Sequence, residues 1–220
     1  MSAVMETFGS REEWLKARMS AIGGSEVAAV MGESPWMSNI DLWKIKTGRI
    51  QPKEMADNDL VIYGQKAEEH LRELFALDFP DLNVFYKPDN MWKNSQMPYA
   101  HASLDGWIRD ASDRLGVLEI KTVRMQGGAQ RRQWEDGMVP QHYFLQVLWE
   151  MAVTEAQFAV LLAQMTYQKD GDVLKVTKHF RVDRKNVEDD IEELKRKGLE
   201  FWRYVVEDKE PPLILPSFGK

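Results

Sequence analysis

The sequence predicts an α/β domain with a central mixed β-sheet flanked by helices, and three observations predict it. Apolar residues recur along the chain in the order helix, strands, helix, strands, helix. The chain has 220 residues, of which 44% are apolar, enough to bury one substantial core. Eight tryptophans and nine phenylalanines supply large surfaces for that core. One domain is expected over residues 1–220, with 207–220 as a C-terminal tail.

Residues 10–19 read as a helix with Ser10 as N-cap and Trp14, Leu15 and Arg18 following. Gly23-Gly24 breaks the chain before a short helix that Ser25 is placed to cap. Gly32 to Ser38 is a loop, and Asn39 to Thr47 resumes as a helix ending at Gly48. The polar stretch Gln51 to Asn58, with Pro52, reads as an exposed loop. From Gly64 to Leu77 the pattern is helical, with Ala67, Leu71, Leu74 and Phe75 as the apolar stripe and Glu68 at its border. Strand-like runs follow at Val84–Tyr86, Ala102–Arg109 and Gly116–Val123, and the polar segment Asp110–Arg114 joins the last two as a hairpin. Pro140 suits a first helical turn, after which Phe144, Val147, Leu148 and Met151 recur at helical spacing. Phe158–Met165 and Val173–Val182 read as strands joined by Lys169-Asp170-Gly171-Asp172. Val187–Val206 is a long amphipathic helix with Ile191, Leu194, Phe201, Trp202 and Val205 inward. The tail Pro211–Pro216 cannot be regular helix and is apolar enough to dock on its own fold or on a neighbour.

Composition excludes some chemistry. The absence of cysteine rules out disulfides and Cys-containing zinc sites. There is no signal pattern, and no apolar run approaches the roughly 18 residues that span a bilayer. No membrane partner is expected, and the chain reads as a soluble, cytoplasmic protein. A net charge of −6 argues against nonspecific adhesion to nucleic acid, so any such role must come from a site. His70, His101, His142 and His179 show no metal-ligand spacing, and His101 reads as structural although it precedes Asp105.

The informative constellation is Asp105 with Glu119-Ile120-Lys121. Strand side chains alternate faces, so Glu119 and Lys121 point one way and Ile120 points into the core on the other. With Asp105 near the end of the adjacent strand, its carboxylate meets Glu119, and the two repel unless a cation sits between them. Asp105, Glu119 and the Ile120 carbonyl make a half-shell suited to Mg2+, which takes oxygen ligands and keeps several waters. Glu68 offers a further carboxylate, suited to a second ion in a two-metal mechanism. Lys121 is placed to position or help deprotonate water, and the Gln146 amide to hold that water or a phosphate. Gln146 projects from its helix along with Tyr143 and Glu150. On a surface strand, Glu and Lys two apart form an ordinary ion pair. Leu118 and Ile120 mark this strand as core, where charges are rarely idle.

Five blocks in order carry a family resemblance. These are Arg18-Met-Ser-Ala-Ile-Gly-Gly-Ser25-Glu26, Tyr63-Gly64-Gln-Lys-Ala-Glu68, Ala102-Ser103-Leu104-Asp105-Gly106, Leu118-Glu119-Ile120-Lys121 and Tyr143-Phe-Leu-Gln146-Val. They resemble motifs of the lambda-exonuclease group, the YqaJ-type viral recombinase nucleases of the PD-(D/E)XK superfamily. Leu104 departs from the proline common in that group, with little effect expected. The resemblance implies a restriction-endonuclease-like fold, with Asp105, Glu119, Lys121, Glu68 and Gln146 catalytic. It implies Mg2+, with Mn2+ substituting, on Asp105, Glu119, Ile120 and Glu68. It implies a phage or prophage 5′-to-3′ exonuclease that digests one strand of linear duplex DNA to 5′-mononucleotides. The 3′ single strand left behind would feed recombination by strand annealing. A ring-shaped homotrimer around double-stranded DNA and a single-strand annealing partner follow from the resemblance alone.

Arg18 and Ser25 suit a 5′-phosphate pocket: an arginine fork, a hydroxyl and a helix start beside two glycines. The plainer reading is that Ser25 caps a helix and Arg18 pairs with Glu12 or Glu26. The three arginines of Arg124–Arg132 read as a backbone contact or a solvated loop. One of Val61, Ile62 and Tyr63 could wedge a duplex end, with at least two of them in the core. The tryptophans are core or interface by default, although an exposed one could stack on a base. The alternative functions are a restriction- or resolvase-like endonuclease on the same fold, or a DNA-end binding module with a degenerate metal site.

Overall fold

The computed structural model describes residues 2–52, 58–169 and 171–215. Most of the expected Gln51–Asn58 loop, Asp170 of the expected turn and the end of the tail from Pro216 lie outside the described residues. The chain opens with strand β1 (Ala3–Thr7) and helix α1 (Arg11–Arg18). The Ser10 side chain caps α1 by accepting from the Glu13 N–H. A single 3-10 turn (Gly24–Glu26) and the one-turn helix α2 (Val27–Val30) follow. Ser25 does not cap this segment. Gly23 holds the cap position and donates its N–H to the Glu26 carboxylate at 2.7 Å, so the Ser25 side chain faces outward.

Helix α3 (Asn39–Lys46) is capped by Ser38 and α4 (Asp59–Asp78) by Asn58. That cap starts α4 a turn earlier than the apolar stripe suggests. Ile62 and Tyr63 are exposed and Val61 is half-buried, so the expectation of at least two core residues there fails. Leu71 and Phe75 are buried, whereas Leu74 is 54% exposed and not part of the core stripe. Leu74 lies about 100° around the helix from Phe75, on a flank turned toward solvent.

Strands β2 (Asn83–Phe85), β3 (Asn90–Asn94), β4 (His101–Ala102), β5 (Gly106–Arg109) and β6 (Leu115–Arg124) follow. Short helix α5 (Gly128–Arg132), helix α6 (Gln141–Thr154), strands β7 (Phe158–Lys169) and β8 (Asp172–Asp183) and helix α7 (Glu188–Val206) complete the fold. The single strand expected over 102–109 is therefore two strands, broken at 103–105, and they belong to different sheets. The break is what lets Asp105 leave the ladder.

The main sheet has the order β2-β5-β6-β7-β8 and is mixed: β6 and β7 run parallel and the other pairs antiparallel. A parallel pair needs a crossover, and α6 provides it. A smaller antiparallel sheet, β1-β3-β4, was not legible in the pattern, since β1 is largely exposed and β3 carries asparagine at both ends. The pleat of β6 sorts its side chains. Leu118 and Ile120 pack with Leu71 and Phe75 of α4, while Val117 and Val123 join the larger core that includes Val147, Leu148 and Met151 of α6. Glu119 and Lys121, at the odd positions, share the α6 face. From Val147 to Thr154 every residue of α6 is buried, so polar groups on this helix are held in a dry interior. The described part of the tail docks on its own fold. Asn39 donates to the Pro212 carbonyl at 2.8 Å and accepts from the Ile214 N–H at 3.0 Å.

Candidate metal and DNA-end site

Asp105 stands just before β5, opposite Glu119 in the antiparallel register that pairs Gly106 with Leu118. Its placement is built from three sides. Asn90, a buried side chain of β3, accepts from the Leu104 N–H at 2.9 Å and donates to the Leu104 carbonyl at 2.9 Å. Arg72 of α4 donates to the Asp105 carbonyl at 3.0 Å, its guanidinium lying over the Tyr86 ring. The Ile120 N–H donates to Asp105 Oδ2 at 2.8 Å. Gly106 permits this fit, because a methyl group there would lie 3.3 Å from both Leu118 and the Phe85 carbonyl oxygen. Leu104 matters more than expected: its N–H makes a bond that the proline common in related motifs cannot make.

Glu119 is 1% exposed. Its Oε1 lies 2.5 Å from Lys121 Nζ and accepts from Gln146 Nε2 at 2.6 Å, while its Oε2 is buried without a hydrogen-bond partner. Gln146 Nε2 also donates to Glu150 Oε1 at 2.9 Å. Four carboxylates thus share one low-dielectric region. Burial pushes Glu68 up to about 7, helped by Asp105. Burial raises Asp105, and burial with Asp105 and Glu150 raises Glu119 well above the carboxylate range. Burial lifts Glu150 to about 8. Lys121 goes the other way: burial works against its charge, but Glu119 and Asp105 outweigh it and raise its pKa. Lys121 therefore stays cationic and offsets part of the cluster's charge, with Arg72 acting on Glu68 and Asp105.

The metal implied by the sequence can be judged from these donors. They are hard oxygens, two buried carboxylate oxygens of the cluster, Glu119 Oε2 and Glu150 Oε2, have no partner, and burial with mutual repulsion forces the carboxyls toward the protonated state. That chemistry fits a divalent cation. Among the described residues no group of three or more His, Asp or Glu side chains forms a ready-made cage. Lys121 lies against Glu119 Oε1 and the Ile120 N–H against Asp105 Oδ2, so of these two carboxylates Glu119 Oε2 is the buried oxygen left for a cation.

Arg18 and Ser25 are together, with Arg18 Nη2 donating to Ser25 Oγ at 3.3 Å. A buried pair fixes them from below. Lys46 Nζ lies 2.7 Å from Glu26 Oε2 and donates to the Arg18 carbonyl at 2.7 Å. Burial opposes ionisation of Glu26, but Lys46 and Arg18 hold it below the usual range. Gly24, next to Ser25 in the chain, joins this pocket to the carboxylates. A methyl group on it would lie 2.8 Å from Glu150 Oε1 and 3.4 Å from Gln146 Cγ. Asp105 and Glu68 thus gather with Glu119, Lys121 and Gln146 around the middle of β6, and Arg18 and Ser25 join them through Gly24 and Glu150. Glu150, Asn90, Arg72 and Lys46 were missed as site residues. Glu150 had a signal, four residues after Gln146 in the apolar run Val147–Val153. His101 is buried, and burial lowers its pKa to about 4, in line with a structural role.

Residues 13–157 match the YqaJ-like viral recombinase domain. The chain belongs to that family. This YqaJ-like chain is 26% identical over 158 residues to the uncharacterized protein YqaJ of Bacillus subtilis, covering 70% of itself and 47% of that protein, so it spans about half the relative's length. Its fold is similar to that of an alkaline exonuclease (LHK-Exo) from Laribacter hongkongensis. The TM-score is 0.64 at 19% identity, covering 90% of this chain and 93% of the other. It is also similar to a phage related exonuclease from Haemophilus somnus 129PT, with TM-score 0.51, 13% identity and coverage of 86% and 96%. The expected restriction-endonuclease-like architecture is thereby borne out for this YqaJ-like domain. Among its described residues no helix is long and apolar enough to cross a membrane.

Proposed function

We propose that this chain is a Mg2+-dependent exonuclease that digests one strand of linear duplex DNA from its 5′ end to 5′-mononucleotides. The 3′ single strand it leaves would serve recombination by strand annealing. The observation that carries this reading is one site in which Asp105, Glu119 and Lys121 lie beside the Arg18–Ser25 pair, linked through Gly24, Gln146 and Glu150. The exonuclease names of structural relatives and the family's recombinase designation support it. A homotrimeric ring, a single-strand annealing partner and a cytoplasmic place in a phage-bearing host belong to the same proposal.

Asp105, Glu119, the Ile120 carbonyl and Glu68 would hold Mg2+, or Mn2+ in its place. A bound cation of this kind lowers the pKa of a water and offsets charge on the phosphate. The Lys121 ammonium, beside Glu119, would orient the attacking water and balance charge at the phosphate. The Gln146 amide donates to the same water or phosphate. Arg18 grips a terminal 5′-phosphate through its fork and the Ser25 hydroxyl donates to it, which registers the end for each cut.

The test is digestion of linear duplex DNA with Mg2+, comparing 5′-phosphate ends, 5′-hydroxyl ends and closed circles. The expected result is loss of the 5′-phosphorylated strand with circles intact. Lys121→Ala should abolish cleavage while retaining DNA-end binding. Cut circles would replace the exonuclease by an endonuclease, and unchanged cleavage in Lys121→Ala would overturn the site.

A further inference from the structure

Trp36, on the loop between α2 and α3, is 64% exposed, while the other seven tryptophans are buried or half-buried. The loop that carries it is held in place, since the Trp36 and Met37 N–H groups donate to the Ser34 hydroxyl at 3.3 and 3.4 Å. The indole stands edge-on to His142 with ring centres 4.9 Å apart, so no parallel ring covers it on that side. It forms one wall of a cleft of about 490 Å³. That cleft opens beside the metal site. Val123 in its lining lies two residues beyond Lys121 on the same face of β6, and the Tyr143 ring, also in the lining, is 5.2 Å from Lys121 Nζ.

The lining chemistry selects the occupant. Three amide side chains, Gln130, Gln133 and Gln141, border the cleft, and among the described residues no lysine or arginine does. Burial, with Lys121, lowers His142 to about 4, so this ring is neutral at pH 7. Such a cleft offers no cation to a phosphate and includes the acidic Glu33 in its lining. It suits a flat, neutral heterocycle with donors and acceptors on its edge, one face against an indole and the edge toward carboxamides. We propose that the Trp36 cleft receives a nucleobase of the DNA strand at the metal site, stacked on Trp36. This proposal rests on the nuclease reading. It adds a base-holding site, distinct from the phosphate grip at Arg18, that turns the nucleotide beside the scissile phosphate out of its stack.

The test measures binding of 5′-phosphorylated DNA ends to the Lys121→Ala protein, with Trp36 intact or changed to Phe or Ala, on oligonucleotides carrying one abasic site at each of the first four positions. With all bases present, Trp36→Ala should weaken binding about tenfold, the scale of one stacked base, while Trp36→Phe stays within about threefold. At the one position whose base occupies the cleft, the abasic site should erase the difference between the protein with Trp36 intact and the Trp36→Ala variant. A free 5′-mononucleotide that competes in a Trp36-dependent way would assign the base to the released product, and failure to compete would assign it to the strand. Equal binding by Trp36→Ala, or a tenfold loss that persists at every abasic position, would overturn the cleft assignment. Digestion of intact duplex by the unmodified protein is measured alongside. Absence of digestion would count against the nuclease reading, whereas digestion with no Trp36 effect on binding would sink the cleft alone.

Discussion

Replacing Glu150 by Gln tests whether buried carboxylates limit the stability of the metal-free protein. Glu150 is held up to about 8 against an ordinary value of 4.5, first by burial, with Gln146 and Lys121 opposing. A carboxyl whose folded pKa lies above its unfolded value binds its proton more tightly in the native state. Its contribution to stability is fully present below the unfolded value and is lost as pH rises through the folded one. For Glu150 that window runs from 4.5 to about 8, and a displacement of this size corresponds to on the order of 5 kcal/mol. Gln retains an oxygen for the Gln146 amide but cannot ionise. Urea unfolding in the presence of a chelator, at pH 5 and pH 8, reads the difference. Wild type should lose several kcal/mol between the two, and Glu150→Gln should lose about 2–4 kcal/mol less. Glu68 and Glu119, also raised, keep the variant from being flat. Parallel losses in the two proteins would refute the reasoning, because Glu150 would then ionise in the native state without cost.

Two further substitutions probe separate parts of the argument. Arg18→Ala should cost about tenfold or more in rate on 5′-phosphorylated ends and far less on 5′-hydroxyl ends, since a charge-assisted pair of bonds is lost only where a phosphate is present; equal losses on both would remove Arg18 from the phosphate grip. Leu104→Pro removes the N–H that Asn90 accepts at 2.9 Å and should cost about 1–3 kcal/mol, the penalty of a buried unpaired acceptor. A thermal midpoint equal to that of wild type would show that Asn90 finds another partner.

Much of the site was legible because its chemistry is written in local patterns. Glu119 and Lys121 share a face by strand alternation alone, and the apolar flanks Leu118 and Ile120 mark that strand as buried. The five ordered blocks add Arg18, Ser25, Glu68, Asp105 and Gln146, which gather around Glu119 and Lys121. What was not legible arises from contacts between residues distant in sequence. The β1-β3-β4 sheet depends on pairing of Ala3–Thr7 with Asn90–Asn94, and neither segment carries an apolar alternation strong enough to announce it. The role of Asn90 depends on lying against Leu104, and that of Lys46 on reaching Glu26 and the Arg18 carbonyl.

The sequence by itself determined the α/β class, the strand that carries Glu119 and Lys121, and the identity of the residues that could hold a cation or grip a phosphate. The class and the strand follow from periodicity and side-chain chemistry, which are local, whereas Arg18 and Ser25 rest also on the ordered blocks that resemble the family. Only the tertiary structure decided that Ser25 faces Arg18 instead of capping a helix, that Glu150 joins the carboxylates, that Leu74 lies outside the core, and that Trp36 stands exposed at the edge of the site. Each of these turns on burial and on which distant segment arrives beside the residue, and those are set by the packing of α4 and α6 on opposite faces of one sheet.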